Sequence, residues 1–433
     1  MKQKFATFFL LWMMTISLTG CSRATMNAQI AESIGTLGLY ENNEPVETPK
    51  MKAEREMREA KETKANIVNV HVEKAQRLAA SYDYSGALAE LALIEEEYQD
   101  DEEVISSKIE FQRLLALMDT YSGDIPHFSV KSLVVDPTLA FDYDDMSYSY
   151  NNANLTVEEF KSILQQLYDN NYVLMDVHEL VVEVENEDGT TSFAVNRPNL
   201  PPDKTPIILS FTEANYYASG DGNGFATRLV LDENGKIQNE YVDQEGNTLI
   251  GAYDVIPIVD AFVEEHPDFS LRGAKGIVSV TGYQGVFGYG IETGADQIRE
   301  IAETLTSDGW LIACHGYGSD ALNNGMDYDT FVEEMEAWDT KVGSLVGDTE
   351  LIIFPYGDEI YAGDPKHDWL LEQGYQYYFG IWTTADFKEV NSDYVRQTRR
   401  TLDGYDLYFY GDSMEDFFDV NRVLDQENRM PFE

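Results

Sequence analysis

Cysteine is almost absent from this chain of 433 residues: Cys21 and Cys314 are the only two, so no disulfide framework organises the fold. Basic residues are scarce as well, with 30 Lys and Arg against 78 Asp and Glu, a formal net charge of −48. A surface of that sign repels nucleic acid and anionic lipid, which excludes both as polymer partners and suits a soluble domain in a cation-rich extracellular medium. Beyond the first 21 residues no apolar run is long enough to cross a membrane. What is present suits a packed protein: 43% hydrophobic and 12% aromatic residues, enough to bury a core. The length exceeds one average domain.

Residues 1–21 read as a targeting segment. Lys2 and Lys4 form a basic start, Phe5 to Leu18 is apolar, and Leu18–Thr19–Gly20–Cys21 ends in small residues before a cysteine. This resembles a bacterial lipoprotein signal, which implies lipid on Cys21 and a protein anchored to the extracellular face of the cell membrane rather than spanning it. A plain secretory peptide and a transmembrane anchor compete with it, but the apolar run is shorter than the roughly 20 residues a span needs. With Cys21 lipidated, Cys314 has no partner for a disulfide. Cys314 lies beside His315, which raises the idea of a thiolate nucleophile. Its place at the buried end of an apolar strand favours a core thiol.

Residues 22–66 form a polar linker. Lys50 to Lys64 alternates acid and base without an apolar face, predicting at most a solvated, marginal helix. From 67 to 122 the period is helical. Val72, Ala75, Leu78 and Ala79 share one face, and Ala87, Leu88, Leu91 and Ile94 begin a second. Val104, Ile105, Ile109, Phe111, Leu114, Leu115 and Met118 form a third. The pattern is similar to a single tetratricopeptide-like hairpin with an added helix. Such repeats generally need about three units to stand alone. The plain reading is therefore a small helical stalk, and the alternative is a protein partner bound through residues 70–118.

The main domain spans 125–433. A strand is expected at 130–135 and a helix at 156–168, opened by Thr156 and Glu159 as a capping box. A strand at 172–175, a short helix in 177–182 and a polar loop at 185–202 follow. An insertion near 218–252 carries hairpin signals around Asp232–Glu233–Asn234–Gly235. Strands at 276–281, 310–314, 350–354 and 375–382 then alternate with helices at 295–307, 328–346 and 365–374. This alternation calls for a parallel sheet, an α/β fold closed into a distorted (β/α) barrel.

Three of these strands end abruptly in polar residues at the edge where barrels place their chemistry. They are Ile207–Ile208–Leu209–Ser210–Phe211–Thr212–Glu213, Trp310–Leu311–Ile312–Ala313–Cys314–His315, and Leu351–Ile352–Ile353–Phe354–Pro355–Tyr356–Gly357. The three ends, in this order, resemble the NodB-type polysaccharide deacetylases (carbohydrate esterase family 4) over residues 125–410. The resemblance implies a divalent metal, often zinc, and removal of acetyl groups from an N-acetylated glycan. It places Thr212 at the position of the catalytic base and Glu213, His315 and Ser319 at the metal-ligand positions. It puts Pro355 and Tyr356 in the groove, and Arg399 or Arg400 as the arginine that orients the base.

The departures carry chemical weight. The reaction needs a base, an acid and a metal that polarises the carbonyl. Thr212 has no usefully ionising group. Ser319 is a poor zinc ligand beside imidazole, and no histidine follows His367 to act as the acid. A third ligand would have to come from Asp320 or Asp358. Glu213 alone would read as a solvated strand-end acid and His315 alone as a structural histidine. Tyr216, Tyr217, Tyr283, Phe287 and Tyr289 suit a sugar-stacking wall or the core equally. Three functions stay open: a lipid-anchored barrel that has lost catalysis and binds glycan, a working deacetylase with a rearranged site, and a protein-binding adaptor.

Overall fold

The computed structural model describes residues 40–41, 44–45 and 47–432. The expected signal segment with Cys21, and the first part of the linker, lie outside these residues. Among the described residues no helix is long and apolar enough to cross a membrane.

The chain divides into two units. One runs to His71 and takes in Glu96–Tyr98. Its main feature is the exposed first part of α1 (Pro49–Ala80). The expected marginal helix over 50–64 is thus part of a continuous helix of 32 residues. No glycine or proline interrupts it, and Lys50–Glu54, Lys52–Glu56, Arg55–Glu59 and Arg58–Glu62 pair at i,i+4, the spacing at which opposite charges support a helix.

The other unit contains Val72–Glu95 and everything from Gln99 onward. Its helical part comprises α2 (Tyr84–Ala92) and α3 (Glu102–Leu115), capped by Asp83 and Asp101. Val72, Ala75, Ala87, Leu91, Val104 and Phe111 are buried. The third apolar set is not a single buried face, since Ile105 and Ile109 stay exposed. The turn after α1 is fastened to the barrel, where Tyr82 OH donates to Asp268 O at 3.0 Å and Arg272 N to Ser81 O at 2.7 Å.

Seven parallel strands close that barrel: β1 (His127–Val130), β2 (Thr205–Phe211), β3 (Gly276–Val280), β4 (Trp310–Cys314), β5 (Leu351–Ile353), β6 (Tyr377–Ile381) and β7 (Val395–Leu402). Each pairs with the next in sequence, and β7 returns to β1 through Arg400↔Phe128. Gly276 permits the close approach of β3 to β2, because a Cβ there would lie 2.6 Å from Leu209 O. Strand parity sorts the side chains. Ile208, Ile277, Ala313, Ile353, Phe379 and Val395 share an interior cluster. Leu209, Val278, Cys314, Ile352 and Tyr378 pack outward in the larger cluster, with α4 (Val157–Asp169) and α5 (Ala295–Ser307).

Two expectations change. The first barrel strand is His127–Val130, not 130–135, because its inward residues His127 and Ser129 are polar and hide the pattern. The region at 177–202 holds a 3₁₀ turn and an antiparallel hairpin, Val181–Glu185 with Thr191–Val195, where a short helix and a loop were expected. Beyond Tyr217 the insertion forms an antiparallel sheet of Arg228–Leu231, Ile237–Val242 and Thr248–Gly251.

Two buried or half-buried charge sites generate predictions. Arg429 and Glu159 pair at 2.6 Å with side chains 0% and 1% exposed, and Glu159 also closes the capping box at Thr156. Arg429→Met strands that carboxylate and should cost about 3–5 kcal/mol in urea unfolding; a loss below about 1 kcal/mol would contradict this account. At the N-terminal end of the barrel, His178 lies 2.7 Å from both Asp176 and Glu350. Burial opposes its charge, but the two carboxylates outweigh burial and raise its pKa to about 9. The stabilisation is complete below the unfolded value of about 6.5 and is lost as pH rises through the folded one. The stability gap between wild type and His178→Gln should therefore narrow steadily over that interval, read by thermal melts at several pH values.

Candidate active-site cleft

The C-terminal ends of the barrel strands carry the residues singled out in the sequence. Thr212 and Glu213 follow β2, His315 and Ser319 follow β4, the Pro355–Gly357 turn follows β5, and Arg399 projects from β7. The backbone at this edge is unusual. Glu213, Tyr216, Gln284, Phe287, Ser319 and Tyr356 all have positive φ, between 55° and 62°. A non-glycine residue in that region costs on the order of 1 kcal/mol or more, and such residues gather at functional sites. Local hydrogen bonds hold the bend at Glu213: its N–H donates to Ser279 Oγ at 3.1 Å, and Ala214 N–H to Ser279 O at 2.9 Å.

Arg399 fills the top of the barrel interior and is 1% exposed. Its Nη1 donates to Thr212 Oγ1 at 2.8 Å, Ser129 Oγ at 3.1 Å and Ser210 Oγ at 3.2 Å, and its Nε to Gly380 O at 3.2 Å. Burial pulls the guanidinium down to about 9, with Glu359 acting in the opposite direction. Thr212 completes the layer with a 2.9 Å hydrogen bond to Ser129. The guanidinium thus faces the Thr212 hydroxyl. Arg400, the alternative from the sequence, points away from the site. It pairs with Asp386 at 2.7 Å and lies over the Phe417 ring.

Glu213 Oε1 accepts from Ser319 Oγ at 2.6 Å and from Tyr217 OH at 3.2 Å. Lys131 Nζ stands 3.9 Å from Oε2. Burial works against the carboxylate charge, but His315, Lys131 and the two hydroxyls outweigh it and hold its pKa below the usual value. His315 is 3% exposed, and burial lowers its pKa to about 4, against the pull of Glu213. Its Nδ1 lies 2.6 Å from Ile353 O. A carbonyl only accepts, so Nδ1 carries the proton and Nε2 keeps a lone pair. At neutral pH the pair is an anionic Glu213 near a neutral His315.

A cleft of about 120 Å³ opens beside this group, lined by Lys131, Asn154, Thr212, Glu213, Tyr216 and Tyr217 among others. The aromatic wall divides. Tyr217 and the exposed Tyr283 meet edge to face at 5.7 Å on the rim. Tyr216 lines the cleft while its hydroxyl accepts from the buried Asn239 at 3.0 Å. Phe287 is core, and Tyr289 is tied to Leu229 O at 2.9 Å. Pro355 is buried, whereas Tyr356 is 77% exposed. Cys314 faces the core, where burial pushes its thiol pKa up. Lys131 and Ser129 were not singled out from the sequence; their position at the end of β1 is the signal that would have found them.

The donor set was tested against the metal that the sequence resemblance implies. A zinc centre of that kind needs three protein ligands. Glu213 and His315 supply two, while the Ser319 hydroxyl donates to Glu213 instead of offering a free ligand. Asp358 is engaged by the backbone N–H groups of Asn323 and Asn324 at 2.8 and 2.7 Å. Among the described residues no group of three His, Cys, Asp or Glu side chains is placed to share an ion. The residues present do not fit such a centre. Ser319→His adds imidazole at a left-handed position that histidine tolerates. It should raise zinc affinity by about tenfold or more in calorimetry, and no gain would mean that Ser319 is not the ligand position.

No protein-family model matches the chain, and no curated protein matches it. Among solved structures it is similar to the Streptococcus pyogenes deacetylase PplD, determined in complex with acetate. That likeness covers 66% of this chain and 97% of PplD, at 13% identity and a TM-score of 0.35.

Proposed function

We propose that this chain is a cell-surface protein, held through lipid on Cys21, whose barrel binds a cell-wall or extracellular glycan at a deacetylase-like cleft that has lost catalysis. The observation that carries this reading is the pairing of Arg399 with Thr212 at 2.8 Å. The guanidinium stands where the resemblance calls for an arginine that orients the base, and the group it meets is unable to take a proton. General acid–base catalysis contributes on the order of 10²–10⁴ in rate, so replacing the base alone removes most of the activity. The Glu213–Ser319 hydrogen bond supports the same reading, because it joins two positions that would otherwise converge on an ion. The pair of half-buried Tyr217 and exposed Tyr283 offers apolar ring faces for a pyranose at the rim.

Purified protein supplied with zinc should release no acetate from N-acetylated chitooligosaccharide or peptidoglycan above a heat-denatured control, while still retaining glycan in a pull-down. Metal-dependent acetate release would establish instead the working deacetylase with a rearranged site. Retention of a protein through residues 70–118 after removal of the glycan contacts would favour the adaptor, for which the exposed Leu93, Ile105 and Ile109 speak.

A further inference from the structure

We infer that the cleft takes an ammonium group where a metal ion would stand, and so selects a glycan bearing free, N-unsubstituted amines over its N-acetylated counterpart. This inference rests on the glycan reading above. Its starting point is the asymmetry of Glu213. Oε1 is satisfied by the Ser319 and Tyr217 hydroxyls. Oε2 has no hydrogen-bond donor among the described residues, and the nearest cation, Lys131 Nζ, stands at 3.9 Å, beyond hydrogen-bond reach. A partly buried carboxylate with one idle oxygen favours a cationic donor.

The chemistry of that donor follows from what surrounds it. A divalent ion needs a third ligand that the site lacks. An ammonium group asks for less: one unit of charge is matched by one carboxylate, and its three N–H groups need only acceptors. Glu213, which lines the cleft, supplies one through Oε2, and the remaining N–H groups stay with the water of the open cleft. An acetamide offers a single neutral N–H and turns a carbonyl oxygen toward an anionic wall. Charge-assisted hydrogen bonds are roughly twice as strong as neutral ones, which gives the free amine the advantage. The net charge of −48 adds long-range attraction for a cationic polymer. Lys131 opposes the ligand, since its ammonium shares the field of the same carboxylate.

The test compares three short probes by isothermal calorimetry with the full folded protein: an N-acetylglucosamine tetrasaccharide, its fully de-N-acetylated form, and an uncharged glucose tetrasaccharide. The de-N-acetylated probe should bind about tenfold or more tightly than the N-acetylated one. Glu213→Gln, nearly isosteric, should abolish that preference, whereas Lys131→Met should enlarge it by removing the competing ammonium. Should Glu213→Gln fail to fold, Lys131→Met reads the same competition from the other side. Equal or tighter binding of the N-acetylated probe overturns the inference and leaves the glycan reading standing. A preference that survives Glu213→Gln also overturns it, marking the attraction as diffuse. Binding of none of the three probes removes both.

Discussion

The guanidinium of Arg399 sits inside the barrel and hydrogen-bonds hydroxyls from two neighbouring strands: Ser129 on β1, and Ser210 with Thr212 at the end of β2. A buried cation is costly, and the depressed pKa of this arginine records that cost. Hydroxyl and carbonyl dipoles compensate it without a carboxylate in direct contact. This layer divides the barrel interior. Below it lie apolar side chains such as Ile208, Ile277 and Phe379. Above it lie Glu213, His315 and the cleft. The position of Thr212, and through it the bend into Glu213, depends on this polar floor.

The floor holds Thr212 through hydrogen bonds alone. An aspartate at position 212 would pair with Arg399 as an ion pair. Threonine makes the hydrogen bond without the charge. Ser319 likewise donates to Glu213. Both hydroxyls are thereby hydrogen-bonded, as polar atoms away from water generally are. The left-handed backbone at Glu213, Ser319 and Tyr356 remains as well. That strain is of the kind maintained at sites that present side chains to a ligand.

Charge is arranged on two scales. Globally the chain is strongly anionic. Locally the cleft sets Lys131 against Glu213, so the carboxylate is neither free nor fully paired.

The sequence by itself determined the strands that are apolar on both faces. Residues 206–211, 310–314 and 351–354 are continuous hydrophobic runs because a parallel barrel buries both sides of each strand, and that pattern is local. The polar residues closing those runs marked Thr212, Glu213 and His315 for the same reason. Tertiary structure alone decided the rest. The strand His127–Val130 was hidden because its inward residues are the polar His127 and Ser129, which find partners only in distant strands. The choice of Arg399 over Arg400 follows from which face of β7 turns inward. Lys131 lies 82 residues from Glu213 in sequence yet shares its cleft, because β1 and β2 are neighbours in the closed sheet. Local periodicity specifies an element and its ends; the groups that meet across a barrel are fixed by closure, which no single segment records.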